Sequence, residues 1–133
     1  MSADCPCCSG LPYDDCCGPL HAGAEAITAE ALLRSRFSAF ARRNAAYLIR
    51  TSHPSARARM RPGDFREAFA LVWTRLEVLD RDRGGRGDAE GVVRFRAHYR
   101  AGERDGVLAE ISRFTRDAGA WVYRDARGEF TGR

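Results

Sequence analysis

The sequence contains no lysine and no long apolar run, and it has no cysteine beyond residue 17. All 22 basic residues are arginines, interspersed with 18 acidic residues, so the formal net charge is only +4. Such mixing is typical of a solvated surface. No basic block or aromatic-studded basic strand stands out, so nucleic acid is not expected as a partner. Nor does any apolar stretch approach the roughly 20 residues of a membrane span, so no membrane partner is expected.

The first residues, Met-Ser-Ala-Asp-Cys, lack the charged and apolar regions of a secretory signal. We therefore expect a cytoplasmic protein whose thiols stay reduced. An odd number of cysteines also disfavours a disulfide framework. The length of 133 residues allows one domain of ordinary size and a small appendage. We place the boundary near residues 20–26, which gives segments 1–22 and 23–133.

Five cysteines lie within the first seventeen residues, at Cys5, Cys7, Cys8, Cys16 and Cys17. The segment between and around them is rich in proline and glycine, so it forms turns rather than a long helix or strand. It can fold back so that the last two cysteines meet the first ones. Four thiolates about 2.3 Å from a tetrahedral ion form a closed structural zinc site, with no open position for catalysis.

The cysteine spacing leaves alternatives open. It does not decide whether Cys7 or Cys8 lies beside Cys5 as a ligand, and His21 is a possible substitute. Free cysteines are disfavoured because they rarely cluster. A redox pair of Cys5 and Cys8 has the C-x-x-C spacing, but such pairs prefer a helix N-terminus.

The clearest predicted helix covers residues 28–43. Thr28 is a good N-cap, and Leu33, Phe37 and Phe40 recur at helical spacing as one apolar stripe. Arg36 falls on this stripe rather than opposite it. We therefore expect its side chain to reach the edge of the core or to meet a buried carboxylate.

Two shorter helices are predicted to follow. One covers residues 45–51 and ends before Pro54. The next begins after Pro62, with Asp64 as N-cap and its buried side marked by Phe65, Phe69 and Val72.

From residue 73 the apolar period changes to two, which is typical of strands. Leu76 and Val78 indicate a first strand, and a second follows at residues 93–99 with an outer face rich in arginine. A third covers residues 107–116, and Trp121 and Tyr123 indicate the last. Helices followed by an antiparallel meander predict an α+β domain with its helices on one face of a curved sheet.

The third strand carries a charge on either face. Glu110 and Ser112 share one face, whereas Arg113 lies on the other. A buried charge is costly unless it is paired. We predict an internal, structural ion pair between Arg36 and Glu110.

The cysteine segment reads C-P-C-x-S-G-x-x-Y-x-x-C-C and resembles the SEC-C motif, a zinc knuckle of the SecA translocase and of many other bacterial proteins. The resemblance implies one structural zinc per chain. It also implies the ligands Cys5, Cys7, Cys16 and Cys17. Cys8 departs from the motif, which usually has glycine there.

The rest of the chain is similar to the bacterial YchJ family. The shared residues are R-S-R-F at 34–37, then Tyr47, Thr51, His53-Pro54 and Trp73, and E-I-S-R-F at 110–114. The resemblance implies a SEC-C knuckle joined to a nuclear-transport-factor-2-like domain, a cone in which three helices pack on a curved antiparallel sheet. Ser52 departs from the tryptophan of many members. The family is uncharacterised, so it implies no reaction.

One hypothesis for function is the binding, or conversion, of a small anionic molecule, because the cone fold usually encloses a pocket. By matching position, the pocket would be lined by Arg36, Tyr47, His53, Trp73, Glu110 and Arg113. An arginine would hold a carboxylate or phosphate. His53 or Glu110 would move a proton.

The competing hypothesis is a non-enzymatic adaptor that docks another protein through the zinc knuckle. The cone domain would then add a second contact face or form a homodimer. Inward charges favour the pocket, but the sequence has no compact acid–base cluster. The sequence therefore favours the adaptor, with the pocket as the alternative.

Overall fold

A four-stranded antiparallel sheet forms the larger part of the fold. The structure is a computed structural model that describes the backbone of residues 3–132 and the side chains of residues 3–127. The strands follow one another in the order in which they occur in the chain. They are β1 (Val72–Arg83), β2 (Glu90–Ala101), β3 (Arg104–Asp117) and β4 (Ala120–Gly132).

The alternation seen in the sequence separates the two faces of the sheet. Val93, Phe95 and Ala97 of β2 are buried, whereas Arg94 and Arg96 between them are exposed. Register shifts interrupt the pairing of β1 with β2 and of β3 with β4. Such bulges bend and twist strands, which curves the sheet around its inner face.

The helices precede the sheet along the chain. They are α1 (Cys17–His21), α2 (Ala29–Ala41), α3 (Ala45–Arg50), α4 (Pro54–Arg57) and α5 (Arg66–Phe69), with 3-10 turns at Tyr13–Asp15 and Pro62–Phe65. Helix α2 packs on the inner face of the sheet, and α1, α3 and α5 contact α2. The prediction of an α+β fold with helices on one face of a curved sheet is confirmed. Within the described residues, no helix is long and apolar enough to cross a membrane.

Helix α2 begins where its cap predicts. The Thr28 Oγ1 accepts a hydrogen bond from the Ala31 amide at 3.0 Å, which satisfies one of the free donors of the first turn. Leu32, Leu33 and Phe37 are then buried in the core against the sheet. The helix ends at Ala41, two residues earlier than predicted.

The predicted third helix is wrong in two details. Asp64 is not its N-cap; it lies inside the turn Pro62–Phe65, and its carboxylate accepts a hydrogen bond from the Arg61 amide at 2.9 Å. Val72 is 56% exposed rather than buried. The reason is that β1 begins at this residue, and the neighbouring Trp73 takes the inner position against the core.

The segment after α3 joins the free edge of the sheet. The Tyr123 amide donates to the Thr51 carbonyl at 2.8 Å, and the His53 amide donates to the Tyr123 carbonyl at 2.9 Å. These bonds place the C-terminal end of α3 beside β4. They also bring it next to the middle of α2, where Arg36 lies.

The cysteine segment packs directly onto α2. Arg34 donates from Nη1 to the Cys7 carbonyl at 2.8 Å, and the guanidinium of Arg42 lies 3.8 Å from the centroid of the Tyr13 ring. The Cys5 and Ser38 side chains meet at 3.8 Å. The knuckle is therefore in contact with the larger domain along one helix.

Candidate metal centre and cavity

Four cysteine side chains converge at the N-terminus. The Sγ atoms of Cys5, Cys7, Cys16 and Cys17 all lie within 4.8 Å of one another. The Cys7–Cys16 distance is 3.5 Å and the Cys16–Cys17 distance is 3.9 Å. Sulfurs bound tetrahedrally to zinc at about 2.3 Å would be about 3.8 Å apart. The donor set and its spacing therefore fit a tetrahedral, thiolate-binding ion.

Short-range hydrogen bonds shape this cluster. The Cys8 amide donates to the Cys5 carbonyl at 3.2 Å, which closes a tight turn, and the Cys5 amide donates to the Leu11 carbonyl at 2.9 Å. Gly10, with φ 88°, reverses the chain between them. Cys16 follows a 3-10 turn and Cys17 opens α1, so the second cysteine pair is aimed back at the first.

Three of the four cysteines, Cys5, Cys7 and Cys17, are no more than 4% exposed. A hydrogen bond with the Cys17 thiol lowers the pKa of Cys7 to about 4. The same bond, together with burial, raises the pKa of Cys17. One thiolate thus takes hydrogen bonds from its neutral neighbours. Full ionisation of all four needs a bound cation, which is what metal binding supplies.

The two alternative ligands lie outside the group of four sulfurs. The Cys8 side chain is exposed and contacts the Pro6 carbonyl and the Leu76 amide, each at 3.5 Å. His21 uses both ring nitrogens, Nδ1 with the Tyr13 hydroxyl at 2.6 Å and Nε2 with the Ser35 carbonyl at 2.8 Å. Because a carbonyl only accepts, Nε2 donates and Nδ1 accepts. His21 therefore links the knuckle to α2.

A cavity of about 330 Å³ lies between α2, the segment around α5 and the inner face of the sheet. Its volume is within the range of about 300–1,000 Å³ that is typical of small-molecule sites. Most of the lining is aromatic or aliphatic, and includes Phe37, Phe40, Phe65, Trp73, Phe95 and Phe114. Four polar side chains also line it: Arg36, Glu110, Ser112 and Tyr123.

Arg36 is only 7% exposed. Its Nη1 donates to the Leu48 carbonyl at 2.9 Å and to the Thr51 Oγ1 at 2.7 Å, and lies 3.5 Å from the Ser52 Oγ. The guanidinium also lies 4.5 Å from the centroid of the Tyr123 ring. Burial lowers the pKa of Arg36 to about 10, so the side chain is cationic at neutral pH.

The predicted ion pair between Arg36 and Glu110 is wrong. No ion pair joins them within the part of the chain whose side chains are described. The guanidinium turns instead to the end of α3, where a helix leaves carbonyl oxygens without intrahelical partners. In the part of the chain whose side chains are described, Glu110 has one hydrogen-bond partner, the Ser112 hydroxyl at 3.5 Å. Burial raises the pKa of Glu110.

Three of the six predicted pocket residues line this cavity, namely Arg36, Trp73 and Glu110. Tyr47 does not: it is 3% exposed, its hydroxyl bonds the Ser35 Oγ at 2.6 Å, and its ring packs on the His21 ring. Its side of α3 faces the knuckle rather than the cavity.

His53 and Arg113 also lie outside the cavity. His53 caps α4, and its Nδ1 accepts a hydrogen bond from the Ser55 amide at 3.1 Å. Arg113 is exposed on the outer face of the sheet, where its Nε donates to Asp125 at 2.6 Å. Strand alternation explains this position, since Ser112 and Phe114 on either side of it point inward.

Ser112 and Tyr123 are the polar lining residues that sequence reasoning missed. A signal existed for both. Ser112 shares the strand face of Glu110, and Tyr123 shares the face of the buried Trp121. What the sequence does not reveal is that segment 51–53 pairs with β4 and so brings the Tyr123 ring over Arg36.

Comparison with known proteins identifies both parts of the chain. Residues 28–126 match the family model described as "YchJ, middle NTF2-like domain", and residues 1–19 match the SEC-C motif. Among curated relatives, a UPF0225 protein of Streptomyces avermitilis is 49% identical over 131 residues, covering 96% of this chain and 85% of that protein. A UPF0225 protein of Streptomyces coelicolor is 48% identical, with 95% and 94% covered.

Two solved structures share the fold. The solution structure of a SEC-C motif containing protein from Rhodopseudomonas palustris has a TM-score of 0.85 and 32% identity, covering 97% of this chain and 99% of that one. The crystal structure of a SEC-C motif containing protein from Psychrobacter arcticus has a TM-score of 0.80 and 26% identity, with 91% and 80% covered. The chain therefore belongs to the UPF0225, or YchJ, family, in which a SEC-C motif precedes an NTF2-like domain.

Proposed function

We propose that this protein binds a small molecule in the cavity between α2 and the inner face of the sheet. The observation that carries the proposal is the lining of this cavity of about 330 Å³: largely apolar walls that include one basic side chain, Arg36, and one acidic side chain, Glu110. Apolar walls with a few polar groups are typical of ligand sites. The walls would supply affinity and the polar groups would orient the ligand.

The knuckle would hold one structural zinc ion through Cys5, Cys7, Cys16 and Cys17. Four sulfurs complete a tetrahedral ion and leave it no position for substrate, so the metal supplies rigidity rather than catalysis. Thiolates bind zinc only while they are reduced, which fits a cytoplasmic location. Through Arg34 and His21, this rigidity would reach α2, the helix that carries Arg36 into the cavity.

The proposal is binding rather than catalysis. Of the two groups that the sequence offered for proton transfer, His53 is engaged as the cap of α4 outside the cavity. Glu110 remains, and the other titratable groups in the described lining are Arg36, which is cationic at neutral pH, and Tyr123, whose pKa is raised by burial. Neither is a base matched to Glu110 at neutral pH, so the lining favours holding a ligand over acid–base chemistry.

The two tryptophans allow a direct test. The indole N–H of Trp73 donates to the Ala68 carbonyl at the cavity, whereas that of Trp121 donates to the Ile27 carbonyl elsewhere. In a fragment screen followed by ¹⁵N NMR, binders should shift the Trp73 indole signal and leave the Trp121 signal in place. Ala97→Leu, which adds volume to the cavity wall, should abolish those shifts. A screen in which no fragment shifts Trp73 would contradict the proposal.

The adaptor remains a second candidate, supported by one feature of the knuckle. Leu11 is 50% exposed, close in sequence to the exposed Asp14 and Asp15. An apolar side chain beside acidic ones would suit a partner protein with an apolar, basic surface. Cross-linking in cells should then give a protein adduct with the wild type that Leu11→Ser loses. An adduct unchanged by the substitution would contradict this candidate.

A homodimer would have a different surface available. Ile111 is 44% exposed on the outer face of the sheet, among arginines. If the adaptor hypothesis includes self-association through this face, the native mass should show a dimer that Ile111→Glu converts to a monomer. A monomeric wild type would remove this part of the hypothesis.

A further inference from the structure

The cavity contains a buried cation, and no carboxylate among the described side chains forms an ion pair with it. Arg36 is 7% exposed, and each of its hydrogen bonds in the described part of the chain leaves from Nη1 to an uncharged oxygen. Its Nη2 and Nε make none there. A buried guanidinium is costly unless it is paired and its donors are satisfied. These donors are therefore free to take an acceptor from a molecule in the cavity.

Glu110 lies in the lining of the same cavity and is suited to share that acceptor. Its one hydrogen-bond partner in the described chain is the Ser112 hydroxyl, at a long 3.5 Å. Burial raises the pKa of Glu110, so the neutral acid persists to a higher pH than in an exposed glutamate. A neutral carboxylic acid donates a strong, charge-assisted hydrogen bond to an anionic oxygen.

The remaining walls decide what kind of anion fits. Apart from Arg36 and Glu110, the lining is apolar or consists of neutral hydroxyl groups. One guanidinium neutralises one negative charge, and its fork-shaped donors match a planar carboxylate. A phosphate dianion would leave a negative charge beside Glu110 in apolar surroundings, and a sugar would leave many hydroxyls unpaired.

We propose that the cavity binds a monocarboxylic acid with an apolar chain or ring. The carboxylate accepts hydrogen bonds from Nη2 and Nε of Arg36 and from the protonated Glu110, and the apolar part lies among the aromatic walls near Phe40, Phe65 and Trp73. This inference rests on the proposed function, since it names the ligand class of that same cavity.

The arrangement couples binding to a proton. Among the described lining residues, the charged or titratable groups around Glu110 are Arg36 from α2 and Tyr123 from the neighbouring strand β4; Ser112 lies beside it on its own strand. When Glu110 is ionised in the free protein, it must take a proton from solvent as the ligand binds, because two adjacent carboxylates repel each other. Affinity for a carboxylate therefore falls as the pH rises through the pKa of Glu110.

The first experiment uses three probes of one length: octanoate, octan-1-ol and octylammonium. Calorimetry and the Trp73 indole signal should show octanoate as the tightest of the three. Arg36→Met should weaken octanoate binding about 10- to 100-fold, the range for one charge-assisted contact, while leaving octan-1-ol unaffected. Arg96→Met is the matched control, because it removes an exposed arginine from the outer face of the sheet. This variant should bind octanoate and octan-1-ol as tightly as the wild type does.

The second experiment keeps the test valid if Arg36→Met does not fold. Glu110→Gln remains neutral and still donates a hydrogen bond, so it should bind octanoate at neutral pH at least as well as the wild type. It should lose the proton uptake that calorimetry detects between buffers of different ionisation enthalpy. Proton uptake retained by Glu110→Gln would overturn the role of Glu110.

The failures of the two proposals are distinguishable. If octan-1-ol shifts Trp73 and octanoate binds no more tightly, the cavity binds small molecules but the carboxylate inference is wrong. Preference for octylammonium would also overturn it and would identify an ionised Glu110 as the recognising group. If none of the three probes shifts Trp73, the carboxylate inference is wrong as well; the fragment screen then decides the proposed function separately.

Discussion

At the scale of single residues, Arg36 connects α2 to the end of α3, because its Nη1 donates to the Leu48 carbonyl and to the Thr51 hydroxyl. Its place on the apolar stripe of α2 predicted a side chain that either reaches the edge of the core or meets a buried carboxylate; the side chain is buried, but its partners are uncharged oxygens. The predicted counter-ion, Glu110, is wrong because a carboxylate can be recognised in a sequence, whereas free backbone carbonyls cannot. The end of α3 supplies such an acceptor through Leu48. Periodicity within one helix contains no information on which other helix end lies beside it.

This account predicts the stability of Arg36 variants. Arg36→Met should lower the free energy of unfolding by about 1–3 kcal/mol, because it removes the buried hydrogen bonds from Nη1 to the Leu48 carbonyl and the Thr51 hydroxyl. Glu110→Gln should not relieve that loss, since no ion pair joins the two side chains. Urea denaturation of both single variants and the double variant measures the coupling. A coupling energy well above about 1 kcal/mol would restore the structural ion pair.

A second residue-scale prediction concerns His21. Burial lowers its pKa, so the folded state favours the neutral ring that bonds Tyr13 and Ser35. The stabilisation is present above the unfolded pKa of about 6.5 and is lost as the pH falls through the lower, folded value. The difference in unfolding free energy between the wild type and His21→Gln should therefore shrink from pH 7.5 to pH 5. A constant difference would show that the ring does not titrate with folding.

At the scale of elements, the length of each helix or strand decided whether it could be predicted from the sequence. Helix α2 has 13 residues, a clear cap and a full apolar stripe, and its start was predicted correctly. Helices α4 and α5 have four residues each, too few for a helical period to be read. The predicted strands 93–99 and 107–116 fall within β2 and β3, because alternation over several residues is enough to indicate a strand even where it misses the ends. The long helix and the strands were therefore predictable from their sequence patterns, whereas the short helices depend on tertiary contacts.

The knuckle is the element whose role can be tested most cleanly. Cys17→Ser should abolish zinc binding and remove hydrogen-exchange protection from residues 3–21, while the sheet stays protected. The reason is that a segment with so few buried side chains depends on its metal. Protection in the first turns of α2 should also fall, since Arg34 and His21 anchor the knuckle there.

Cys8→Ser is the matched control for that experiment. Its side chain is exposed and outside the group of four sulfurs, so zinc content and protection should match those of the wild type. Loss of zinc in Cys8→Ser would show that the fifth cysteine is a ligand. Global unfolding of Cys17→Ser would show that the knuckle is an integral part of the core rather than a unit docked on α2.

At the scale of the whole molecule, the knuckle and the cavity differ in how far the sequence predicts them. Cysteine spacing predicted that the thiols converge but left Cys7 and Cys8 as alternatives; the resemblance to the SEC-C motif implied the group of four sulfurs that the structure brings together. The cavity was only half predictable. Its lining comes from α2, the α5 region and all four strands, and residues such as Tyr47 and Arg113 that share the family pattern serve other surfaces. Shared position in a pattern does not establish a shared site.

The central claim joins these parts: a zinc-stabilised knuckle supports a cone that binds a small molecule. Native mass spectrometry of protein purified from cells, with metal analysis of the same sample, tests it most directly. The account predicts one zinc per chain and a further bound mass that Ala97→Leu loses while its zinc remains. Purified protein that lacks zinc, or a bound mass that the Ala97→Leu variant retains, would contradict this claim.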